Sequence, residues 1–311
     1  MTVVQVELVG KNGRYAFNPK DSLSANGRFG SVFKGTSIDS GKPVVVKYFN
    51  PVRGNAVAAF RFKAEALYAF QRPDIQDSID YIVNERGTFL IKEFIPGKTL
   101  KSVAYPKITL AELKDSLLSL SDSLGFLHEK GIVHADIKPA NIIWPKTEGG
   151  FPEKPVLIDF GLARWDKLSY TDSMFSFIYS APEQVLGLPH LIGPHSDLFS
   201  LGVCIYEILT GQAPYEFDSD DGHPALIEQA QITMPFPADR FVPDDWYALI
   251  SAVCKKPEFK KPPARYLAAE REQIVKESIA LRPSSAKEFK EMVLALDASK
   301  PRKKKWGFLG I

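Results

Sequence analysis

Cysteine is nearly absent from this chain: Cys204 and Cys254 are its only two among 311 residues. Two thiols cannot build a disulfide framework. Both lie in apolar, helical-looking surroundings, so they read as buried thiols of a reducing compartment rather than as ligands or nucleophiles. Long hydrophobic runs are lacking too. The longest, residues 201–209, is broken by Glu207 and is too short to cross a bilayer. No basic region followed by an apolar run opens the sequence, so no secretion signal is read there. Charge of one sign is also lacking, since 39 Lys and Arg against 37 Asp and Glu leave +2. That balance gives no global pull towards nucleic acid or an anionic membrane. What remains is an ordinary globular composition, 45% hydrophobic and 24% charged. The length suits one large domain or two lobes. The expected setting is the cytoplasm, and no repeat or low-complexity linker points to another domain.

What is there is concentrated in residues 134–143, a stretch that reads as a tight loop leaving a helix and entering a short apolar strand. Asp136, Lys138 and Asn141 fall within six positions of one another. Phosphoryl transfer to a hydroxyl needs such a set: a carboxylate to orient the hydroxyl and take its proton, and a cation to offset charge on the moving group. It also needs an oxygen donor for Mg²⁺, a hard cation. Upstream, Leu110, Leu113, Leu117, Leu120, Leu124 and Leu127 recur at helical steps, the apolar face of one long helix that delivers the chain to Gly131. Downstream, an apolar strand ends in Asp159, Phe160 and Gly161, and the chain runs on to Ala181, Pro182 and Glu183. Residues 197–211 are apolar nearly all round, as a helix buried in a large core should be.

The first third reads as a sheet. Residues 3–9 are rich in β-branched valine and precede a Gly-Lys-Asn-Gly break, which predicts an extra hairpin. Residues 23–35 hold Gly27, Phe29, Gly30 and Val32 at a glycine-rich tip, where backbone amides can approach phosphates closely. Alone, that tip could be any β-turn. A buried strand over 43–47 ends in Lys47. A helix is predicted over 56–70, with Val57, Phe60, Ala64 and Leu67 on its apolar face and Glu65 beside them.

Taken in order, these motifs resemble the eukaryotic-like (Hanks-type) serine/threonine protein kinases, of a bacterial type, over about residues 21–297. The resemblance implies an α+β, bilobal fold. A small, mostly antiparallel β lobe with one helix would reach to about residue 95, and a larger, mainly α lobe would occupy 96–297. Residues 1–20 would be an N-terminal extension and 298–311 a basic tail. It also implies roles. Asp136 would be the catalytic base and Lys138 would steady the γ-phosphate, with Asn141 and Asp159 as metal ligands. Lys47 would hold the α- and β-phosphates while Glu65 fixes Lys47. Ala25, Gly27, Phe29 and Gly30 would form the phosphate loop. Val32, Val45 and Ile143 would sandwich the adenine, and the backbones of Glu93 and Ile95 would meet its edge. ATP and Mg²⁺ are the implied cofactors. Proteins with Ser or Thr acceptors are the implied partners, with autophosphorylation a further outcome. Asp197 would tie its helix to the catalytic loop, Arg282 would pair with Glu183, and Ser176 would sit near the substrate.

Several positions depart from the family pattern. Ala25 replaces the first glycine of the phosphate loop, and Phe175 replaces a glycine beside Ser176. Ala135 replaces an arginine that in many family members grips an activation-segment phosphate, so the loop is of the non-RD kind, and either activity without that phosphorylation or control by other means is expected. Lys92 falls where an apolar gatekeeper is usual. Either it pairs with a carboxylate such as Glu65 or Asp159, or the register is shifted by one. Two rival readings follow. A pseudokinase-type ATP-binding module would bind nucleotide without transfer, and a small-molecule kinase would label only a metabolite. The Ala-Pro-Glu segment with Ser176 argues against the latter. The acidic residues 216–221 and the basic tail 300–305 read as solvated, the tail being a weak nucleic-acid or lipid candidate. The basic, proline-bearing stretch 255–271 receives no function.

Overall fold

The structure, a computed structural model, describes residues 5–27, 30–49, 56–102, 108–144, 153–168, 170, 176, 178–215, 224–239 and 242–299. Phe29, Phe175, the acidic stretch 216–221 and the basic tail 300–305 lie outside them. The chain divides into two compact units. The first comprises Met1–Gly97 with Ile143–Gly161, and the second Lys98–Ile142 with Leu162–Ile311. The segment 143–161 therefore belongs with the sheet-bearing unit, although it follows the predicted catalytic loop.

The first unit is built from β1 (Val6–Val9), β2 (Arg14–Gly27), β3 (Gly30–Ser37), β4 (Pro43–Phe49), α1 (Ala56–Glu65), β5 (Ser78–Asn84) and β6 (Gly87–Glu93). The strands form one antiparallel sheet in the order β1-β2-β3-β4-β6-β5. Because side chains alternate across a strand, its faces divide cleanly. Leu8, Tyr15, Phe17, Val44, Val46, Ile82, Phe89 and Ile91 pack into a buried cluster. The β3/β4 and β4/β6 registers pair Val32 with Lys47 and Val45 with Lys92, which places these four on the opposite face. The β1–β2 hairpin closes at Gly10 N to Gly13 O, 2.9 Å. The same turn reaches the strand at the far edge of the sheet: the amides of Lys11 and Asn12 donate to the Asp80 carboxylate at 3.3 and 2.8 Å. Asp80 also takes the Tyr15 hydroxyl, so this buried acid is satisfied.

Helix α1 is shorter than the sequence predicts and turns a different face inward. It stops at Glu65. Tighter turns follow, Ala66 N to Lys63 O and Leu67 N to Ala64 O, before Gln71 in the left-handed region. Phe60 and Leu67 are exposed, while Ala58, Arg61, Phe62, Ala64 and Glu65 are buried. The Phe62 ring packs at a tilt against those of Phe49 and Tyr81, with centroids 5.4 and 6.2 Å away. The inward face is chosen by those rings and by lysines on the sheet rather than by the helix's own apolar stripe.

The second unit is mainly helical: α2 (Leu110–Glu129), α3 (Pro182–Val185), α4 (Pro194–Thr210), α5 (Pro224–Thr233), α6 (Asp244–Val253), α7 (Ala268–Ile279) and α8 (Ala286–Leu294). Thr109 and Glu112 form a capping box that starts α2. All six of its periodic leucines are buried. Helix α4 is buried almost throughout and ends at Gly211, at φ 76°. Cys204 in α4 and Cys254 after α6 are both buried, and the Cys254 thiol donates to Phe199 O at 3.4 Å. Burial raises both thiol pKa values, Cys254 to about 12 and Cys204 well above 9.0. The stretch 255–271 leads into α7 through a 3₁₀ turn, Pro263–Arg265. These units have the sheet-plus-one-helix and mainly helical architectures expected of the two lobes.

Candidate active site

In the first unit, four charged groups converge on one face of the sheet. Lys47 Nζ donates to Glu65 Oε2 at 2.7 Å and to Asp159 Oδ1 at 2.9 Å. Lys92 Nζ donates to the other oxygen of the same carboxylate, Glu65 Oε1. Lys47, Lys92 and Glu65 are buried, while the Asp159 side chain is 46% exposed. Burial alone would lower the Lys47 pKa, but the Asp159 and Glu65 carboxylates raise it beyond the usual lysine value. Lys92 thus has a carboxylate partner, Glu65 rather than Asp159. Asp159 sits at φ 61°, a conformation that non-glycine residues rarely adopt and that clusters at functional sites. Phe160 behind it is buried against Tyr68 and Phe70.

Backbone placement explains the glycine at the β2–β3 tip. Gly30 has φ 139°, and a Cβ there would lie 1.7 Å from Tyr48 O. Gly27 pairs with it in the hairpin, and Ala25 lies on β2. Val32 and Val45 are half-buried on the Lys47 face, and Ile143 is buried in the short strand Ile142–Trp144. The Glu93 amide donates to Asp77 O at 3.0 Å, and its carbonyl accepts from Gln76 Nε2 at 2.8 Å. Among the described residues, Ile95 makes no hydrogen bond.

In the second unit, the loop after the two-residue strand Ile132–Val133 gathers the other set. Lys138 Nζ donates to Asp136 Oδ2 at 2.8 Å, and Asn141 Nδ2 donates to the same oxygen at 2.9 Å and to Asp136 O. Ser176 Oγ donates to the remaining oxygen, Asp136 Oδ1, at 2.5 Å, while accepting from Lys138 Nζ at 3.0 Å. A serine hydroxyl is therefore held between a carboxylate and an ammonium. Ala135, at φ 59°, starts this loop.

The loop's backbone is pinned from two sides. Asp197 Oδ2 accepts from His134 N at 2.9 Å and Oδ1 from Ala135 N at 2.7 Å, with His128 Nε2 also 2.9 Å from Oδ2. The Gln184 side chain donates to Ala135 O at 2.9 Å. Beneath it, Arg282 Nη1 meets both oxygens of Glu183, at 3.1 and 3.0 Å, with both side chains fully buried. Burial would raise the Glu183 pKa. Arg282 first, then His195 and the Ser196 hydroxyl, hold it below 4.5 instead.

The donor chemistry suits a hard divalent cation. Asn141 spends its amide nitrogen on Asp136, which turns the amide oxygen the other way, and Asp159 keeps a half-exposed carboxylate. Both are oxygen ligands of the type magnesium prefers. Among the described residues no three His, Cys, Asp or Glu side chains gather into a protein-only cage. Asn141 and Asp159 are each a lone oxygen donor rather than part of such a cage, and magnesium at phosphoryl-transfer sites usually takes its remaining ligands from phosphate and water.

This geometry agrees with similarity to known proteins. The family described as protein kinase domain matches residues 23–291. The chain belongs to the protein kinase family. It is 30% identical over 277 residues to serine/threonine-protein kinase pkn2 of Myxococcus xanthus, covering 80% of this chain and 32% of that one. It is 30% identical over 244 residues to Pkn1 of the same organism, covering 75% and 34%. It is 32% identical over 228 residues to serine/threonine-protein kinase D of Synechocystis, covering 67% and 43%. The chain thus spans about a third to under half of the length of these curated kinases.

Two glutamines, one beside each of these clusters, escape sequence reasoning. Gln76 joins the end of β6 to Asp159, whose amide donates to Gln76 Oε1 at 3.3 Å, and Gln184 joins α3 to the loop at Ala135. Both are buried. A lone glutamine carries no pattern, so its burial is the only available signal, and burial comes from the fold.

Proposed function

We propose that this chain is a serine/threonine protein kinase that transfers the γ-phosphate of ATP to Ser or Thr hydroxyls of proteins. The observation that carries the reading is the serine hydroxyl seated on Asp136 and Lys138. An acceptor hydroxyl held that way is oriented for attack, with a base for its proton and an ammonium for the developing charge. The acceptor oxygen bonds to the γ-phosphorus, and the bond from that phosphorus to the β–γ bridging oxygen breaks. The hydroxyl proton passes to Asp136, and the bridging oxygen leaves on ADP. Lys138 is assigned the charge on the transferring group, and Asn141 holds Asp136 in its rotamer. Lys47, held by Glu65, takes the α- and β-phosphates. The tip around Gly27 and Gly30 supplies backbone amides, Val32, Val45 and Ile143 the faces for adenine, and Ile95 the backbone groups for its edge. The Glu93 carbonyl has one lone pair left for the same edge.

Asn141 and Asp159 would hold Mg²⁺, which neutralises phosphate charge when bound. The working domain boundaries are 21–297, and the proposed setting is the cytoplasm. No described helix is long and apolar enough to cross a membrane.

The test is transfer of labelled phosphate from ATP with magnesium to the chain itself or to a basic protein. Asp136→Ala should lower it by about 10²–10⁴-fold, the usual worth of a general base. Nucleotide binding by a folded chain that labels no protein would overturn the proposal. Labelling of a metabolite alone would assign the site to a small molecule.

A further inference from the structure

We propose that Lys92 is a positioning residue that holds Glu65, and through it Lys47, in the phosphate-ready arrangement whether or not a nucleotide is bound. The inference rests on reading Lys47 as the phosphate-holding lysine, and it begins from strand register. Val45 pairs with Lys92 and Lys47 with Leu90, so both ammonium groups stand on the same face of adjacent strands. Glu65, the last residue of α1, meets them with one oxygen each.

This division of labour decides what happens when phosphates arrive. A carboxylate as buried as Glu65 is costly to leave unpaired. An ammonium has three donors, so Lys47 can keep Glu65 Oε2 while it reaches for an anion, but as sole partner it would leave the buried Oε1 without an ion-pair partner. Lys92 fills that second place, and its bond to Oε1 holds the carboxylate when Lys47 shifts towards an anion. The dependence is mutual: Lys92 is itself buried, and Glu65 is its one ion-pair partner among the described residues. Two ammonium groups and the two carboxylates of Glu65 and Asp159 make the set neutral as it stands. The end of α1 is pinned further by Ser78, whose hydroxyl donates to Glu65 O at 2.8 Å. Lys92 also lies over the Phe160 ring, 5.9 Å from its centroid, which couples it to the residue after Asp159.

The experiment is amide hydrogen exchange along α1, with and without ADP and magnesium, in the native chain and in Lys92→Met, alongside kinetics against ATP. In the native chain α1 protection should be the same with and without nucleotide. In Lys92→Met, α1 amides alone should exchange about tenfold or more faster without nucleotide and recover when it binds. The KM for ATP should rise about tenfold to a hundredfold, with kcat changed less, because Glu65, and through it Lys47, is then held by fewer contacts before nucleotide arrives. Unchanged α1 exchange, or faster exchange spread evenly over the whole sheet, would overturn the proposal. If Lys92→Met does not fold, Lys92→Met/Glu65→Gln removes both buried charges. Native-like α1 protection without nucleotide in that variant would equally overturn it, and a selectively loosened α1 supports it. Absence of phosphate transfer by the native chain would instead sink the kinase reading, and the exchange result would stand apart from it.

Discussion

Glu183 and Arg282 show how single residues brace the segment whose next residue, Gln184, holds the Ala135 loop. The pair is fully buried, and the second guanidinium contact, Arg282 Nε to Lys255 O at 2.8 Å, fixes its plane. Arg282→Met would strand a buried carboxylate and should cost about 3–5 kcal/mol near neutrality. The pH dependence follows from the lowered Glu183 pKa. Its contribution is complete above 4.5 and is lost as pH falls through the lowered value. Native and variant urea midpoints should therefore converge on acidification, as the variant's carboxyl protonates first. A gap that stays constant with pH would contradict this account. At this scale the sequence was most legible where function sits in a few neighbouring positions. Asp136, Lys138 and Asn141 could be paired on paper because one short loop carries all three. Lys92 could not, since its partner depends on which residue of β4 lies across from it and where α1 ends.

Elements were legible where their pattern is internal to them. The leucine repeat and capping box of α2 need no neighbour to be recognised, and every repeat position proved buried. Helix α1 was not legible in the same way. Its apolar stripe includes Phe60 and Leu67, yet both face solvent, because lysines on β4 and β6 and the ring of Phe49 set its rotation. The β2–β3 hairpin stands between these cases. Its glycines announce a tip, but the reason for Gly30 is the carbonyl of Tyr48 on the neighbouring strand. Gly30→Ala cannot keep that approach, so the tip must move away from β4. The expected result is weaker nucleotide binding, with the KM for ATP raised about tenfold or more and transfer at saturating ATP changed less. An unchanged KM would detach the tip from phosphate binding.

For the molecule as a whole, the order of the motifs announced the family, and the grouping of residues 143–161 with the sheet did not. That grouping arises because Leu157 bridges to Ile75 and exchanges backbone hydrogen bonds with Asp74 and Gln76, pairings between segments about eighty residues apart. Control is also a property of the whole. Ala135 is buried, and its amide and carbonyl are committed to Asp197 and Gln184, so the loop is held without a phosphate-gripping arginine. Phosphatase-treated protein should keep full activity against a protein substrate. A loss restored by rephosphorylation of the activation segment would refute that.

The two sequestered cysteines have a practical corollary. Their sulfur atoms are closed to solvent and stay protonated at neutral pH, so maleimide and similar dyes will find nothing to attack in the folded chain. A cysteine placed at an exposed position such as Val9 or Leu267, 73% and 72% accessible, would be its one reactive thiol. A fluorophore at either position could then report, on single molecules, whether the folded chain responds to added nucleotide, without first stripping native thiols from the sequence.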